Sequence, residues 1–166
     1  MNYAKIKPVD VANGEGGRVS IFVCGCRHFC KGCFNRELWN HAAGQAFTSN
    51  TIKEIFGLLK KPYITGLSLL GGEPLDPYNV RDSEWLCDMV KRHTTGKDIW
   101  CYTGYRWEDV KDLKIMKDID VLVDGRFIEE LKDPRLKFRG SSNQRIIDVK
   151  KSLESGCVVL RKDLME

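Results

Sequence analysis

Two rhythms of apolar residues alternate along this sequence. Short, β-branched runs predict strands at Val19–Val23, entered through the glycine-rich stretch Asn13-Gly14-Glu15-Gly16-Gly17, and at Ile64–Leu70, Ile99–Tyr102 and Val121–Val123. Between them apolar residues recur at helical spacing. Thr51-Ile52-Lys53-Glu54 has capping-box form, and Ile52, Ile55, Phe56 and Leu59 then predict a helix of about ten residues. Trp85, Leu86, Met89 and Val90 predict a second helix, and Trp107, Val110 and Leu113 a weaker third. Near the end, Cys157-Val158-Val159-Leu160 is strand-like. Such alternation predicts an α/β domain with a mostly parallel sheet.

With 166 residues and no low-complexity linker, residues 1–166 are expected to form a single domain. A closed eight-unit barrel needs roughly 200 residues or more, so only a partial, open (β/α) barrel is within reach. Ligands of parallel α/β folds gather at the C-terminal strand ends. In this sequence each predicted strand runs into residues capable of chemistry. A cysteine cluster follows the first, Gly71-Gly72-Glu73-Pro74 the second, Thr103-Gly104-Tyr105 the third and Asp124-Gly125-Arg126 the fourth.

Composition narrows the setting. No apolar run approaches the roughly 18 residues of a membrane span, and Met1–Pro8 lacks the apolar core of a secretory signal, so no membrane association and a cytoplasmic location are expected. The net charge of +4, from 27 basic and 23 acidic residues, implies no general attraction to nucleic acid.

Four of the seven cysteines fall in the stretch 24–35: Cys24, Cys26, Cys30 and Cys33. The last three have the spacing C-x3-C-x2-C. Three thiolates on one loop suit three irons of a [4Fe-4S] cube and leave the fourth iron without a protein ligand. The alternative is a zinc-stabilised interaction module using all four thiolates, although zinc motifs usually pair cysteines as C-x2-C with a second pair further on. Cys24 reads as a small buried thiol at a strand end. His28 is a possible further donor, or an exposed or supporting histidine.

The C-x3-C-x2-C segment resembles the radical S-adenosylmethionine (SAM) superfamily. Within that resemblance Gly71, Gly72 and Glu73 match a motif that holds the methionine amino group of SAM, with paired glycines allowing close backbone approach. Cys33-Phe34-Asn35, Trp100–Tyr105, Val121–Phe127 and Arg139-Gly140-Ser141-Ser142-Asn143-Gln144-Arg145 narrow it to the activating enzymes of anaerobic (class III) ribonucleotide reductase. The resemblance runs from about Val9 to Ile147. It implies Cys26, Cys30 and Cys33 as cluster ligands and Gly71, Gly72, Glu73, Asn35 and Thr103 as SAM contacts. It also implies Asp124 and Arg126 as an acid-x-base position near SAM and the incoming peptide. For that pair a surface salt bridge is the alternative, and for Thr103 a structural cap. Cys24 stands where the pattern has a small non-thiol residue, and the chain after Asp148 lies outside the resemblance.

The resemblance further implies reductive cleavage of SAM to a 5′-deoxyadenosyl radical, which removes hydrogen from a glycine of the large catalytic subunit of anaerobic ribonucleotide reductase. A low-potential electron donor such as flavodoxin would supply the electron. Activation of another glycyl-radical enzyme, such as pyruvate formate-lyase, is the alternative within the class, although those activases are longer. Lys132–Lys151 carries seven basic residues against Asp133 and Asp148, a local balance of +5. Segment 132–166 is therefore expected to face the partner, with Arg139 and Arg145 as docking cations, a solvated basic face being the alternative.

Overall fold

A computed structural model describes all of Met1–Glu166. Seven strands form one sheet: β1 (Asn2–Asp10), β2 (Gly17–Val23), β3 (Gln45–Ala46), β4 (Ile64–Gly71), β5 (Asp98–Tyr102), β6 (Val121–Asp124) and β7 (Arg145–Asp148). Their spatial order is β3-β1-β2-β4-β5-β6-β7. The central pairings, β2 with β4, β4 with β5 and β5 with β6, are parallel. The flanking ones, β1 with β2 and β3 and β6 with β7, are antiparallel. The expected parallel sheet is thus confined to the middle, and the sheet is not closed.

The four predicted strands are that parallel core. They are buried on both faces, which gives the near-continuous apolar runs visible in sequence. One face packs under α1 (Ser49–Leu59), α2 (Val80–His93) and the single turn α3 (Trp107–Val110). Val19, Ile21, Leu67, Leu69, Ile99 and Leu122 meet Ile55, Leu59, Leu86, Val90 and Val110 there in one cluster. The other face carries Phe22 and Leu70 in one small cluster and Trp100, Val121, Val123, Ile146 and Leu164 in another. Arg18 is also fully buried there; it ion-pairs with Asp98 at 2.8 Å and donates to Ser68 and to the Leu67 carbonyl.

Several local expectations are corrected. α1 starts at Ser49, and its box joins Thr48 to Thr51, whose hydroxyl accepts from the Thr48 amide. Thr51, buried within the first turn, is not the cap. The C-terminal Cys157–Leu160 run forms no full strand. It makes one bridge, Leu160 to Ile147, between α4 (Val149–Ser155) and α5 (Lys162–Met165), and Cys157 is exposed. β1 and β7 were not predicted. β1 contains Lys5, Lys7 and Pro8, which break an apolar pattern, and β3 covers only Asn2 and Tyr3 of its outer edge, so the missing Pro8 amide is tolerated. β7 offers only Ile146 and Ile147 as an apolar signal.

Candidate iron–sulfur and SAM site

The parallel strands end at Val23, Gly71, Tyr102 and Asp124, and the loops that follow converge at one end of the sheet. They surround a cavity of about 740 Å³ lined by Cys26, Cys30, Cys33, Asn35, Gly71, Gly72, Glu73 and Thr103. The volume is that of a site for a cofactor-sized ligand. Eight of the ten residues singled out from sequence therefore share one cavity. Asp124 and Arg126 instead line a neighbouring pocket of about 490 Å³, together with Arg145, Tyr105 and Asn143.

Of the three cavity thiols, Cys33 takes a backbone hydrogen bond at its sulfur, from the Asn35 amide at 3.4 Å. Such a donor favours thiolate and suits ligation of an iron–sulfur cluster. In the cluster-free chain burial dominates: it pushes the Cys26 thiol up to about 11 and raises Cys30, and the neighbouring thiols add to it. Cluster uptake would thus displace protons from these residues. Cys24 is turned into the core with Phe22, Leu38 and Leu70, away from the cavity. No three His, Cys, Asp or Glu side chains converge as donors to a single ion. A four-thiolate zinc site would require Cys24 to leave that core.

The cluster loop rests on the segment Gly71–Asn79. The Gly72 amide donates to the Val23 carbonyl and the Glu73 amide to the Gly25 carbonyl, both at 2.8 Å. Asn79 Nδ2 donates to the carbonyls of Cys24 and Glu73. These contacts explain the two glycines differently from the sequence reading. A Cβ on Gly72 would stand 2.6 Å from the Gly25 carbonyl oxygen, and one on Gly71, at φ 110°, 2.7 Å from the Val23 amide nitrogen. Both glycines admit the cluster loop itself.

Glu73 is buried, and its carboxylate has four partners. Thr103 Oγ1 and the Leu75 amide donate to Oε1, at 2.8 and 2.9 Å, while the Gly104 amide donates to Oε2 at 2.8 Å and His28 Nε2 lies 2.8 Å from the same oxygen. Glu73 thereby ties three strand-end loops together, and Thr103 is its hydrogen-bond donor. His28 is held under Tyr105, with ring centroids 4.6 Å apart, and supports the loop between two cysteines. Asn35 Nδ2 donates to the Gly71 carbonyl at 3.3 Å.

A second tie has no motif behind it. Arg27 Nε and Nη2 each donate at 2.9 Å to Asp76, which also accepts from the Tyr78 amide and faces His41. Burial opposes ionisation of Asp76, but Arg27, the Tyr78 amide and His41 outweigh it and hold the carboxyl at about 2. The signal was an Asp two residues beyond Pro74 and an Arg between two cysteines, both of which also suit a solvated loop.

Asp124 and Arg126 are not an ion pair. Asp124 is buried, accepts from the Trp107 amide at 2.7 Å, which anchors α3, and pairs with Arg145. Arg126 stands exposed at the edge of the neighbouring pocket. Arg145 also pairs with Glu108 at 3.0 Å, and Arg139 donates to the carbonyls of Gln144 and Met165. The two arginines expected to dock a partner are therefore committed within the chain. Lys132, from the same basic run, lies over the exposed ring of Phe34, 4.8 Å from its centroid.

Comparison with known proteins agrees with this geometry. The family model described as "4Fe-4S single cluster domain" matches residues 12–147. The anaerobic ribonucleoside-triphosphate reductase-activating protein of Enterobacteria phage T4 is 49% identical over 146 residues, covering 88% of this chain and 93% of the relative. Proteins of the same name from Escherichia coli K12 and Haemophilus influenzae are 44% and 45% identical, over 87% and 88% of this chain and 96% and 97% of their own length. The chain belongs to the family of anaerobic ribonucleoside-triphosphate reductase-activating proteins, with a 4Fe-4S single cluster domain as its core.

Proposed function

We propose that the chain activates anaerobic ribonucleotide reductase by generating a glycyl radical on its large catalytic subunit, using a [4Fe-4S] cluster on Cys26, Cys30 and Cys33 and SAM in the same cavity. The observation that carries this reading is the convergence of three cysteine side chains and the Gly71-Gly72-Glu73 loop on one cavity at the strand ends. When bound, the reduced cluster supplies one electron that cleaves SAM to methionine and a 5′-deoxyadenosyl radical, and that radical takes a hydrogen atom from glycine.

The chain's own residues position and enclose. Glu73, filled by four donors, holds the loops in register, which leaves the methionine amine to the backbone acceptors of Gly71–Glu73. Asn35 and Thr103 complete the wall. No general base is needed for hydrogen-atom transfer, so Asp124 serves by anchoring α3 and Arg145. The partner would dock on the cavity rim, where Phe34, Ile128 and Leu131 are exposed beside Arg126 and Lys132. A low-potential donor such as flavodoxin would reduce the cluster.

Anaerobically purified protein should contain four irons and four sulfides per chain by the cluster's stoichiometry, release methionine and 5′-deoxyadenosine from SAM under reductant, and produce a glycyl-radical electron paramagnetic resonance (EPR) signal on the reductase. Zinc in place of iron, or iron without SAM cleavage, would overturn the reading.

A further inference from the structure

The chain between Leu131 and Ser142 departs and returns to almost the same point. The Ser142 amide donates to the Leu131 carbonyl at 2.9 Å, Lys132 and Ser141 form an isolated antiparallel bridge, and the Asp133 amide donates to the Gly140 carbonyl at 3.3 Å. Compact loops with joined ends are frequently functional. Asp133, Leu136, Phe138 and Arg139 of this loop line the cofactor cavity. Its tip is closed on itself: the Leu136 amide donates to the Asp133 carbonyl at 3.2 Å, and Asp133 pairs with Arg135 at 2.8 Å. No backbone hydrogen bond joins residues 134–139 to any other element.

Two side chains fasten that tip. The Phe138 ring meets Trp100 edge-on, with centroids 5.3 Å apart, and Trp100 is itself fully buried among Val121, Val123, Ile146 and Leu164. Arg139 donates to the carbonyls of Gln144 and Met165, at 2.9 and 3.1 Å. Phe138 has a φ of 54°, in the left-handed region that a bulky residue avoids. Such a conformation persists only while its surroundings enforce it, and here the seat of the ring on Trp100 does so. A segment with so few ties is among the first to open.

The base of the loop stands in the rim where the partner is expected to dock: Leu131 is exposed, and Lys132 lies 4.8 Å from the Phe34 ring centroid. We propose that Leu131–Ser142 is a lid on the cofactor cavity, hinged at its base and latched by Phe138 on Trp100, which opens to admit SAM and the glycine segment of the reductase. The identity of what enters rests on the preceding reading; the hinge and the latch do not. Closed, the lid keeps water from the cavity, and release of the left-handed Phe138 offsets part of what opening costs.

Arg135 and Lys137 put two trypsin sites at the tip, and Arg27 and Lys31 put two in the cluster loop. In cluster-free protein, Phe138→Ala should speed cutting at the tip about tenfold, the factor for losing one aromatic pair, while the cluster-loop sites are cut at the parental rate. In reconstituted protein, stopped-flow SAM binding should show the association and dissociation rate constants rising together, because a gate governs both. A contact in a fixed wall would change dissociation alone. Parental cutting at the tip in Phe138→Ala, or faster dissociation with unchanged association, would overturn the lid. If Phe138→Ala loosens the cluster loop as well or does not fold, Arg139→Gln, which frees the tip from Met165 but keeps the ring, is judged by the same two measurements. A parent chain that binds no SAM would defeat the preceding reading instead, and the comparison of tip cutting would still decide the lid.

Discussion

The two halves of the cavity wall are held in different ways. On the side of β2 and β4, the cluster loop is tied down by backbone hydrogen bonds to Gly72 and Glu73 and by the buried carboxylates of Glu73 and Asp76. On the side of β6 and β7, the wall is held by side-chain amides and by exposed ion pairs such as Lys31 with Glu129 and Glu130. Buried, fully partnered polar groups lock a geometry, whereas exposed pairs hold it weakly. The first half is therefore built to keep three sulfurs in place. The second is held more weakly.

The largest effect should come from the locked half. Replacing Cys26, Cys30 or Cys33 with Ala should abolish iron binding and SAM cleavage. Cys24→Ser should retain both, because Cys24 belongs to the apolar contact with Phe22, Leu38 and Leu70. Its penalty should be a stability loss of about 1–3 kcal/mol for a hydroxyl without a partner, read by chemical denaturation. If Cys24→Ser loses iron as completely as Cys30→Ala does, the two halves do not divide the cysteines as described.

Next in size is Gly72→Ala. Since the added Cβ would stand 2.6 Å from the Gly25 carbonyl oxygen, backbone must move, and iron content and SAM affinity should fall together. Iron assay and SAM titration on the same preparation separate this from a pure ligand-contact role. Normal iron with weakened SAM would show that the glycine serves the ligand and not the loop.

The same contrast explains what the sequence made legible. The parallel core was readable because strands buried on both faces are apolar throughout, and the grouping of Cys26, Cys30 and Cys33 on one cavity because three thiols at fixed spacing share one loop. The roles of Gly71, Gly72 and Glu73 were only half readable: their membership of the site follows from the motif, but their partners lie on Val23, Gly25, His28 and Gly104. The intramolecular pairing of Arg145 was not readable, because a basic run shows nothing of Asp124 and Glu108 until the fold brings them to it. Arg27 and Asp76 were invisible for the same reason, since each is an ordinary loop residue until the fold brings them together. β1 and β7 were missed because flanking strands with a Pro, or with only two apolar residues, carry no clear period-2 signal.

A smaller effect is expected at the rim of the second half. Phe34 and Leu131 are exposed beside Lys132, an arrangement suited to an apolar anchor with a cationic border. Phe34→Ser with Leu131→Ser should weaken binding of the large reductase subunit by about tenfold, while SAM cleavage by reductant alone persists. Equal affinity for parent and variant in a direct binding titration would place the docking face elsewhere.

The smallest expected effect tests how firmly the first half is locked. Asp76 has a folded-state carboxyl at about 2 against an ordinary value of 3.8, because Arg27, the Tyr78 amide and His41 overcome the burial that opposes its charge. A depressed carboxyl contributes stability above its unfolded value and loses it as the solution is acidified through the folded value. Its contribution should therefore be complete above about pH 4 and disappear towards pH 2. Asp76→Asn keeps the shape and an acceptor for the Tyr78 amide but cannot ionise, so the variant should be less stable than the parent at neutral pH and converge on it between those limits. Because Asp76 is fully buried, the difference should persist in molar salt, whereas the exposed pairs of Lys31 with Glu129 and Glu130 should be screened. Denaturation midpoints for parent and Asp76→Asn at several pH values and two salt concentrations supply the measurement. A difference that stays constant down to pH 2, or vanishes in salt, would mean that the cluster loop is not held by the pairing of exposed Arg27 with buried Asp76.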